Sequence, residues 1–173
     1  MANLMDHTLR LSPTLVCFGE LRSNEEFKLG MKIMQAGHPI NCTYHAATSA
    51  GAISRFLTAY LSQSGNEPSH LALKNLVDLL DLIIVQEIFR DGTRKIIQIS
   101  EVIGVDKEDK DKPIINDLYI YDIIGTPTYD RNGNLVRING RHKRVGTISE
   151  RLIRKFEING IPKSRYDFLT KPV

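Results

Sequence analysis

The spacing of apolar residues changes partway along the chain. In the first half, Ile53, Phe56 and Leu57 begin a stripe at three- and four-residue intervals that predicts an amphipathic helix. A short continuous apolar run at 15–18 instead predicts a strand buried on both faces, as in a parallel sheet, and a second short strand is predicted at about 40–44. The predicted order of helix, strand, helix, strand, helix, helix is typical of an α/β fold.

Capping and turn residues place the helix ends. A short helix over residues 2–11 is predicted to stop before Pro13. Ser23 and Glu26 have the spacing of a capping box, and Gly37 is expected to end the helix that they begin. Two further helices are predicted, one starting near Thr48 and ending at Gly65, the next opening at Pro68.

From residue 82 onward the pattern predicts antiparallel strands. Residues 82–89 and 95–105 flank Asp91-Gly92, a hairpin turn signal, and 114–121 is a third candidate strand. Asn132-Gly133 indicates another turn, and Ser149 is expected to cap a closing helix.

We therefore predict an α/β unit over residues 1–105, with an antiparallel extension and closing helix over 106–173. A parallel sheet of two strands is too small to be stable by itself. The pattern thus suggests that part of the sheet lies upstream of residue 1.

Composition fits an ordinary globular protein, with 42% hydrophobic and 25% charged residues. The net charge of +3 comes from 23 basic and 20 acidic residues, a balance that does not favour nucleic acid, so no nucleic-acid partner is predicted. A basic run at 137–144 is interpreted as a solvated loop or edge strand; nucleic-acid binding is a weaker interpretation that rests on this run alone.

Cysteine content and hydropathy limit the class further. Cys17 and Cys42 lack metal-ligand spacing and are expected to be buried, reduced thiols of a cytosolic protein. No apolar stretch approaches the ~20 residues of a membrane-spanning helix.

Glu20 is the first candidate for chemistry. It follows the 15–18 strand, so its carboxylate should lie at the carboxyl edge of the sheet, where α/β proteins bind ligands. Arg22 lies two residues later, and Ser23 opens a helix whose N-terminus favours anions. A carboxylate here could order a magnesium-bound water or polarise an attacking one. The alternative is a surface acid at a strand end.

Two histidines flank the 40–44 strand. His38 precedes it and His45 follows it, so the two should lie about 20 Å apart at opposite ends and are not expected to share a metal. His45 is predicted at the same edge as Glu20, although a purely structural histidine remains the alternative.

The chain contains no G-x-x-x-x-G-K-[ST] loop for binding phosphates. The glycine-rich dinucleotide fingerprint, the nucleophile elbow and the zinc motif H-E-x-x-H are also missing. We interpret Asp78, Asp81 and Glu87 as solvated side chains.

Four stretches, in this order and spacing, resemble the ATPases that drive type II and type IV secretion, type IV pili and tight-adherence pili. The tight-adherence and type IV secretion branch is the most similar. The first, Met1–Pro13, looks like the helix before the Walker B strand, and the second, Leu15–Arg22, looks like that strand with its Gly-Glu-x-Arg ending. The third, Gly37–Ala46, looks like the histidine box, and the fourth, Asp81–Val105, looks like the C-terminal hairpin ending in Glu-Val-x-Gly. The segment Ser149–Leu169 also resembles the family's closing helix.

The resemblance implies the C-terminal part of a RecA-like core that works as a hexamer with ATP and magnesium between subunits. It implies that Glu20 acts in ATP hydrolysis, directly or through a magnesium-bound water. His45 would sense the γ-phosphate region, and Arg22 and His38 would contribute to the same site. Such an enzyme would be cytoplasmic, peripheral to the inner face of the membrane, and would work with membrane-bound secretion or pilus platform proteins.

Two departures from the family pattern shape the prediction. Thr14 replaces the acidic residue that usually follows the proline before Walker B. The phosphate-binding loop would lie upstream of residue 1, so we expect this chain to be a fragment, whether natural, a split gene or excised. Alone it should be inactive and bind no ATP. The rival prediction is a non-catalytic module that keeps the fold and binds motor or secretion components.

Overall fold

A computed structural model describes residues 10–173. The predicted helix over residues 2–11 lies almost entirely outside the described residues. The rest follows the predicted order of elements.

The first half is a small α/β unit. Strand β1 (Val16–Phe18) is followed by helix α1 (Asn24–Gln35), strand β2 (Ile40–Cys42) and helices α2 (Ser49–Leu61) and α3 (Ser69–Leu79). The strands β1 and β2 are parallel, with Val16 opposite Ile40.

The predicted helix caps of this unit are confirmed. Ser23 and Glu26 form both bonds of a capping box at the start of α1. At its end, Gly37 has a φ of +87°, and the amides of Gly37 and His38 bond back to the carbonyls of Met34 and Ile33. This left-handed C-terminal turn is one that glycine adopts without steric cost.

The second half is an antiparallel sheet with the strand order β3-β4-β5-β8. Its strands are β3 (Leu82–Ile88), β4 (Arg94–Val105), β5 (Pro113–Ile123) and β8 (Gly140–Arg144). Between β5 and β8 the chain forms a separate small hairpin from β6 (Thr128–Tyr129) and β7 (Leu135–Arg137). Helix α4 (Glu150–Ile158), a 3₁₀ turn (Lys163–Arg165) and the short α5 (Asp167–Thr170) close the chain.

The main core lies between the helices of the first half and the antiparallel sheet. At its centre the rings of Phe27, Tyr44 and Phe56 meet edge to face, with centroid distances of 5.2 to 6.2 Å. Sheet residues Ile83, Val85 and Val102 are buried in the same cluster, so the two halves share one core. A smaller cluster lies beneath α4: Leu118, Ile148, Leu152 and Tyr166.

Helix α4 is bound to the sheet by polar contacts that join distant parts of the sequence. Arg151 donates to the carbonyl of Leu80 at 2.8 Å and to the carboxylate of Asp81 at 2.9 Å, and Lys155 bonds the same carboxylate at 2.5 Å. The interpretation of Asp81 as merely solvated is therefore wrong, because two cations from α4 bind it.

The prediction that β1 is buried on both faces is also wrong. Val16 and Phe18 are half-buried, while Leu15 and Cys17 are exposed. Among the described residues β1 pairs only with β2, so its other edge has no neighbour. Cys42, on β2, is half-buried, and burial raises the pKa of its thiol to about 11.

Candidate functional site

The loops that leave β1 and β2 are bonded to each other at the carboxyl edge of the parallel pair. The amide of Leu21 donates to the carbonyl of Thr43 at 2.8 Å, and the Thr43 hydroxyl donates to the carbonyl of Gly19 at 2.5 Å. These two bonds hold the residues that follow each strand side by side. No local pattern in the sequence indicates this role of Thr43, because its bond spans 24 residues.

The side chains of Glu20, Arg22 and His45 meet at this edge. Arg22 donates from Nε and Nη2 to Oε2 of Glu20, at 2.8 and 2.6 Å. Nε2 of His45 lies 3.2 Å from Oε1 of the same carboxylate. The structure thus brings together three of the four predicted site residues, with the carboxylate at the centre.

These side chains differ in exposure. The side chain of Glu20 is 27% exposed, whereas those of Arg22 and His45 are 78% and 90% exposed. The carboxylate is therefore partly shielded beneath two solvated side chains. An incoming ligand would meet the guanidinium and the imidazole first.

The pKa of Glu20 is held below its usual value, first by the hydrogen bonds from Arg22 and then by the charges of Arg22 and His45, against the opposing effect of burial. The same bonds raise the pKa of Arg22 further above neutrality. Glu20 is therefore an anion at neutral pH, as required of a group that accepts a proton or orients a water molecule.

The N-terminus of α1 is already satisfied within the chain. A carboxylate oxygen of Glu26 accepts from the amides of Arg22 at 2.6 Å and Ser23 at 3.0 Å. These two bonds lower the pKa of Glu26. An anion at this helix start would have to displace Glu26, so the helix terminus contributes less to ligand binding than the sequence suggested.

His45 is positioned by the loop that leads into α2. Three residues after it, Thr48 caps the helix, with its hydroxyl accepting from the amide of Gly51 at 3.0 Å. Ser49, the first residue of α2, is buried, and its hydroxyl lies 2.8 Å from that of Ser100 on β4. The loop that carries His45 is therefore fixed at its far end to the core.

His38 is not part of this cluster. Its Nδ1 lies 3.2 Å from the carbonyl of Pro13, before β1 begins, and it precedes β2. It is therefore at the amino ends of the two strands, while Glu20 and His45 are at their carboxyl ends. Within this chain the structure does not bring His38 to the site where the resemblance had placed it.

The carboxylate of Glu20 retains room for a water molecule. A carboxylate has about four lone-pair positions, and Arg22 and His45 occupy three of them. A magnesium ion reached through water needs only one such position, which fits the predicted role. Within residues 10–173 no group of three or more His, Cys, Asp or Glu side chains could hold a metal directly.

The arrangement can orient and polarise a water molecule, but within the described residues it offers no loop of backbone amides to hold phosphates. One concave region, of about 480 Å³, lies elsewhere, between α3 and the loop after β4. The site is an open edge that supplies a carboxylate base, the guanidinium of Arg22 and the imidazole of His45. None of the described helices is long and apolar enough to cross a membrane.

Comparison with known proteins gives concordant matches. The family model for the Type II/IV secretion system protein matches residues 1–118. The "Probable conjugal transfer protein TrbB" of Sinorhizobium fredii is 36% identical over 83 residues, which make up 46% of this chain and 24% of that protein. The chain therefore spans about a quarter of that relative's length.

Two solved structures of the ATPase DotB resemble the fold. The one from Legionella pneumophila is 23% identical and the one from Yersinia pseudotuberculosis 19% identical, each with a TM-score of 0.46 over 62% of this chain. The matched regions make up 28% of the Legionella chain and 26% of the Yersinia chain.

Proposed function

The chain belongs to the Type II/IV secretion system protein family, and on that premise we propose that it is the C-terminal portion of a motor ATPase that couples ATP hydrolysis to protein secretion or pilus assembly. The observation that carries the proposal is the convergence of Glu20 and His45 at the carboxyl edge of β1 and β2. Ligands of α/β proteins bind at such an edge.

Glu20 is the catalytic base in this proposal. Its carboxylate, ionised at neutral pH, accepts a hydrogen bond from the attacking water and receives its proton as the water attacks the γ-phosphorus and the bond to the bridging oxygen breaks, which releases ADP and phosphate. His45 and Arg22 carry donors on the same carboxylate, so they hold it in one orientation before substrate arrives. Both are exposed enough to turn toward a phosphate.

ATP and magnesium would be bound mainly by sequence outside this chain. A glycine-rich loop with its lysine supplies the amides and the charge that hold the β- and γ-phosphates. Magnesium, when bound, neutralises charge on those phosphates, and Glu20 would reach it through a water molecule. The phosphate-binding loop would have to come from upstream of residue 1, and this chain alone should be inactive.

The intact enzyme would work as a hexamer in the cytoplasm, at the inner face of the membrane, against secretion or pilus platform proteins. The family resemblance supports this assembly. A second candidate is a non-catalytic module that binds motor components. In favour of it, the contacts of Arg22 and His45 with Glu20 are also those of a purely structural ion pair.

Calorimetric titration with Mg-ATP separates the two candidates. The 173-residue chain should give no binding heat, and a protein extended upstream to include an in-frame Gly-Lys-Ser/Thr loop should bind ATP. Micromolar binding of Mg-ATP by the chain alone would contradict the proposal that sequence outside this chain supplies most of the ATP-binding groups. An upstream sequence without such a loop would favour the interaction module.

A further inference from the structure

The positive charge of this protein is concentrated in one segment. Residues 121–144 contain five Arg or Lys and two Asp, a net charge of +3. The remainder of the chain has 18 basic and 18 acidic residues, so the whole excess of +3 lies in this segment. The balanced overall composition therefore conceals a local basic footprint of the kind that polyanions bind.

The fold places this segment at one side of the antiparallel sheet. It includes the end of β5, the β6–β7 hairpin and β8, and β8 is an edge strand that pairs only with β5 among the described residues. We call the β6–β7 hairpin together with β8 the basic edge. In the hairpin, nearly all side chains are exposed.

The cations of the basic edge are available to a ligand. Arg137, Arg141 and Lys143 are exposed, and none of them forms an ion pair within residues 10–173. Arg141 and Lys143 alternate along β8, so they project on the same side about 7 Å apart. Arg144 differs, since it donates to the carbonyls of Phe168 and Pro172 and so holds the C-terminal residues in place.

The acidic side chains of the segment only partly oppose this charge. Asp130 is bonded within the hairpin turn, where it accepts from the amides of Asn132 and Asn134, both at 2.8 Å. Asp122 lies directly opposite Arg141 in the strand register, and it is the acid that competes with a bound anion. Asp91 accepts from the amide of Ile138 at 2.7 Å and ties the base of the hairpin to the β3–β4 turn.

An aromatic side chain accompanies these cations. Tyr129 on the hairpin is 58% exposed. Tyr121 and His142 are register partners whose rings meet at 5.3 Å on the other face of the sheet from Arg141 and Lys143, so they are not part of this cation track. An exposed ring on the same hairpin as the unpaired Arg137 is a combination with which proteins bind single strands, since bases stack on the ring and phosphates meet the cations.

We propose that the basic edge binds single-stranded nucleic acid, with Arg137, Arg141 and Lys143 on the phosphates and Tyr129 beneath a base. The sequence-based prediction of no nucleic-acid partner rested on the balance of charge over the whole chain, whereas this proposal rests on where the excess positive charge lies. The proposal uses neither Glu20 nor ATP, so its outcome is separate from that of the proposed function.

Fluorescence anisotropy of a labelled oligothymidylate tests this proposal on the 173-residue chain. The oligonucleotide should be longer than the roughly 4–16 nucleotides that one small binding fold covers. The Arg141→Ala/Lys143→Ala variant should weaken binding at least about tenfold at low salt and lower the slope of log K against log salt by about 1.4. The variant Lys107→Ala/Lys110→Ala removes the same charge from exposed positions in the loop between β4 and β5 and serves as the matched control. Tyr129→Ala should weaken binding with an unchanged salt slope.

Circular dichroism of each variant checks that the fold is retained. Absence of binding at low salt would overturn the proposal, as would equal weakening by the control variant. Affinity for a matched duplex equal to that for the single strand would overturn the role of base stacking. A preference for anionic phospholipid vesicles over the oligonucleotide would assign the surface to a membrane and contradict the proposal.

Discussion

At the scale of single residues, the site depends on how the carboxylate of Glu20 is held. Two donors of Arg22 bond one oxygen and His45 contacts the other, so side chains of the protein orient the group. Positioning before substrate arrives is what a base that directs a water molecule requires.

The titration of Glu20 tests this arrangement. Its pKa should lie below the ordinary value of a glutamate in the folded chain, chiefly because of the hydrogen bonds from Arg22. A carboxyl group with a lower pKa in the folded than in the unfolded chain stabilises the fold above the unfolded value. That contribution disappears as the pH falls through the folded value.

Carbon-detected NMR of the Glu20 carboxyl group measures the pKa. In Arg22→Ala the pKa should rise toward its ordinary value, while Arg55→Ala, which removes a cation that does not contribute to the lowered pKa of Glu20, should leave it in place. An unchanged pKa in Arg22→Ala would show that the ion pair does not form in solution.

Local sequence predicted this site only in part. Glu20 and His45 could be placed at one sheet edge because each follows a short apolar strand in a parallel unit. Their direct contact, and the capture of the α1 terminus by Glu26, depend on side-chain geometry that spacing does not encode. The contacts of Asp81 with Arg151 and Lys155 bridge more than 60 residues, and no local pattern indicates them.

At the scale of elements, helix α4 starts on a buried carboxylate. Glu101 on β4 is fully buried, and it accepts hydrogen bonds from the amide of Ser149 at 2.9 Å and from the Ser149 hydroxyl. Ser149 in turn caps α4 by accepting from the amide of Leu152. One serine therefore satisfies both a helix end and a buried acid.

Removing this serine should cost more than removing an ordinary cap. Ser149→Ala should lower the free energy of unfolding by the ~1 kcal/mol of a lost N-cap, plus ~1–3 kcal/mol because the buried Glu101 carboxylate loses the hydroxyl donor and keeps only the Ser149 amide. Ser23→Ala, at the exposed capping box of α1, is the matched comparison and should cost only the first amount. Equal losses for the two variants in urea unfolding would show that Glu101 does not depend on Ser149.

Elements were more predictable than their burial. The capping box at Ser23, the glycine after α1 and the Asp91-Gly92 turn are local signals, and each lies where it was expected. The exposure of β1 could not be predicted, because an apolar run shows only that a strand can be buried and not that its neighbours belong to the same chain.

At the scale of the whole molecule, the two sheets have unpaired edges. In the described residues, β1 and β2 pair only with each other and β3 pairs only with β4. Strand β3 also exposes apolar side chains, with Ile84 at 59% and Ile88 at 60% exposure. Open strand edges and exposed apolar side chains both favour association.

We therefore expect the isolated chain to self-associate. Sedimentation velocity over a concentration series should show species larger than the 19.6 kDa monomer. The Ile84→Lys variant places a charge on this strand and should reduce association, whereas Ile158→Lys, at an exposed position on α4, should not. A stable monomer at all concentrations would contradict the expectation and favour a self-sufficient interaction module.

The most direct test of the catalytic assignment is steady-state ATP hydrolysis by the intact enzyme carrying Glu20→Gln, with nucleotide binding measured in parallel. The substitution keeps the shape and removes the charge, so turnover should fall roughly 10²–10⁴-fold while ATP still binds. His45→Ala should cost less, because the imidazole positions groups and does not take the proton. Turnover within about twofold of the unsubstituted enzyme, as for an ordinary surface change, would contradict the account by showing that Glu20 only ends a strand.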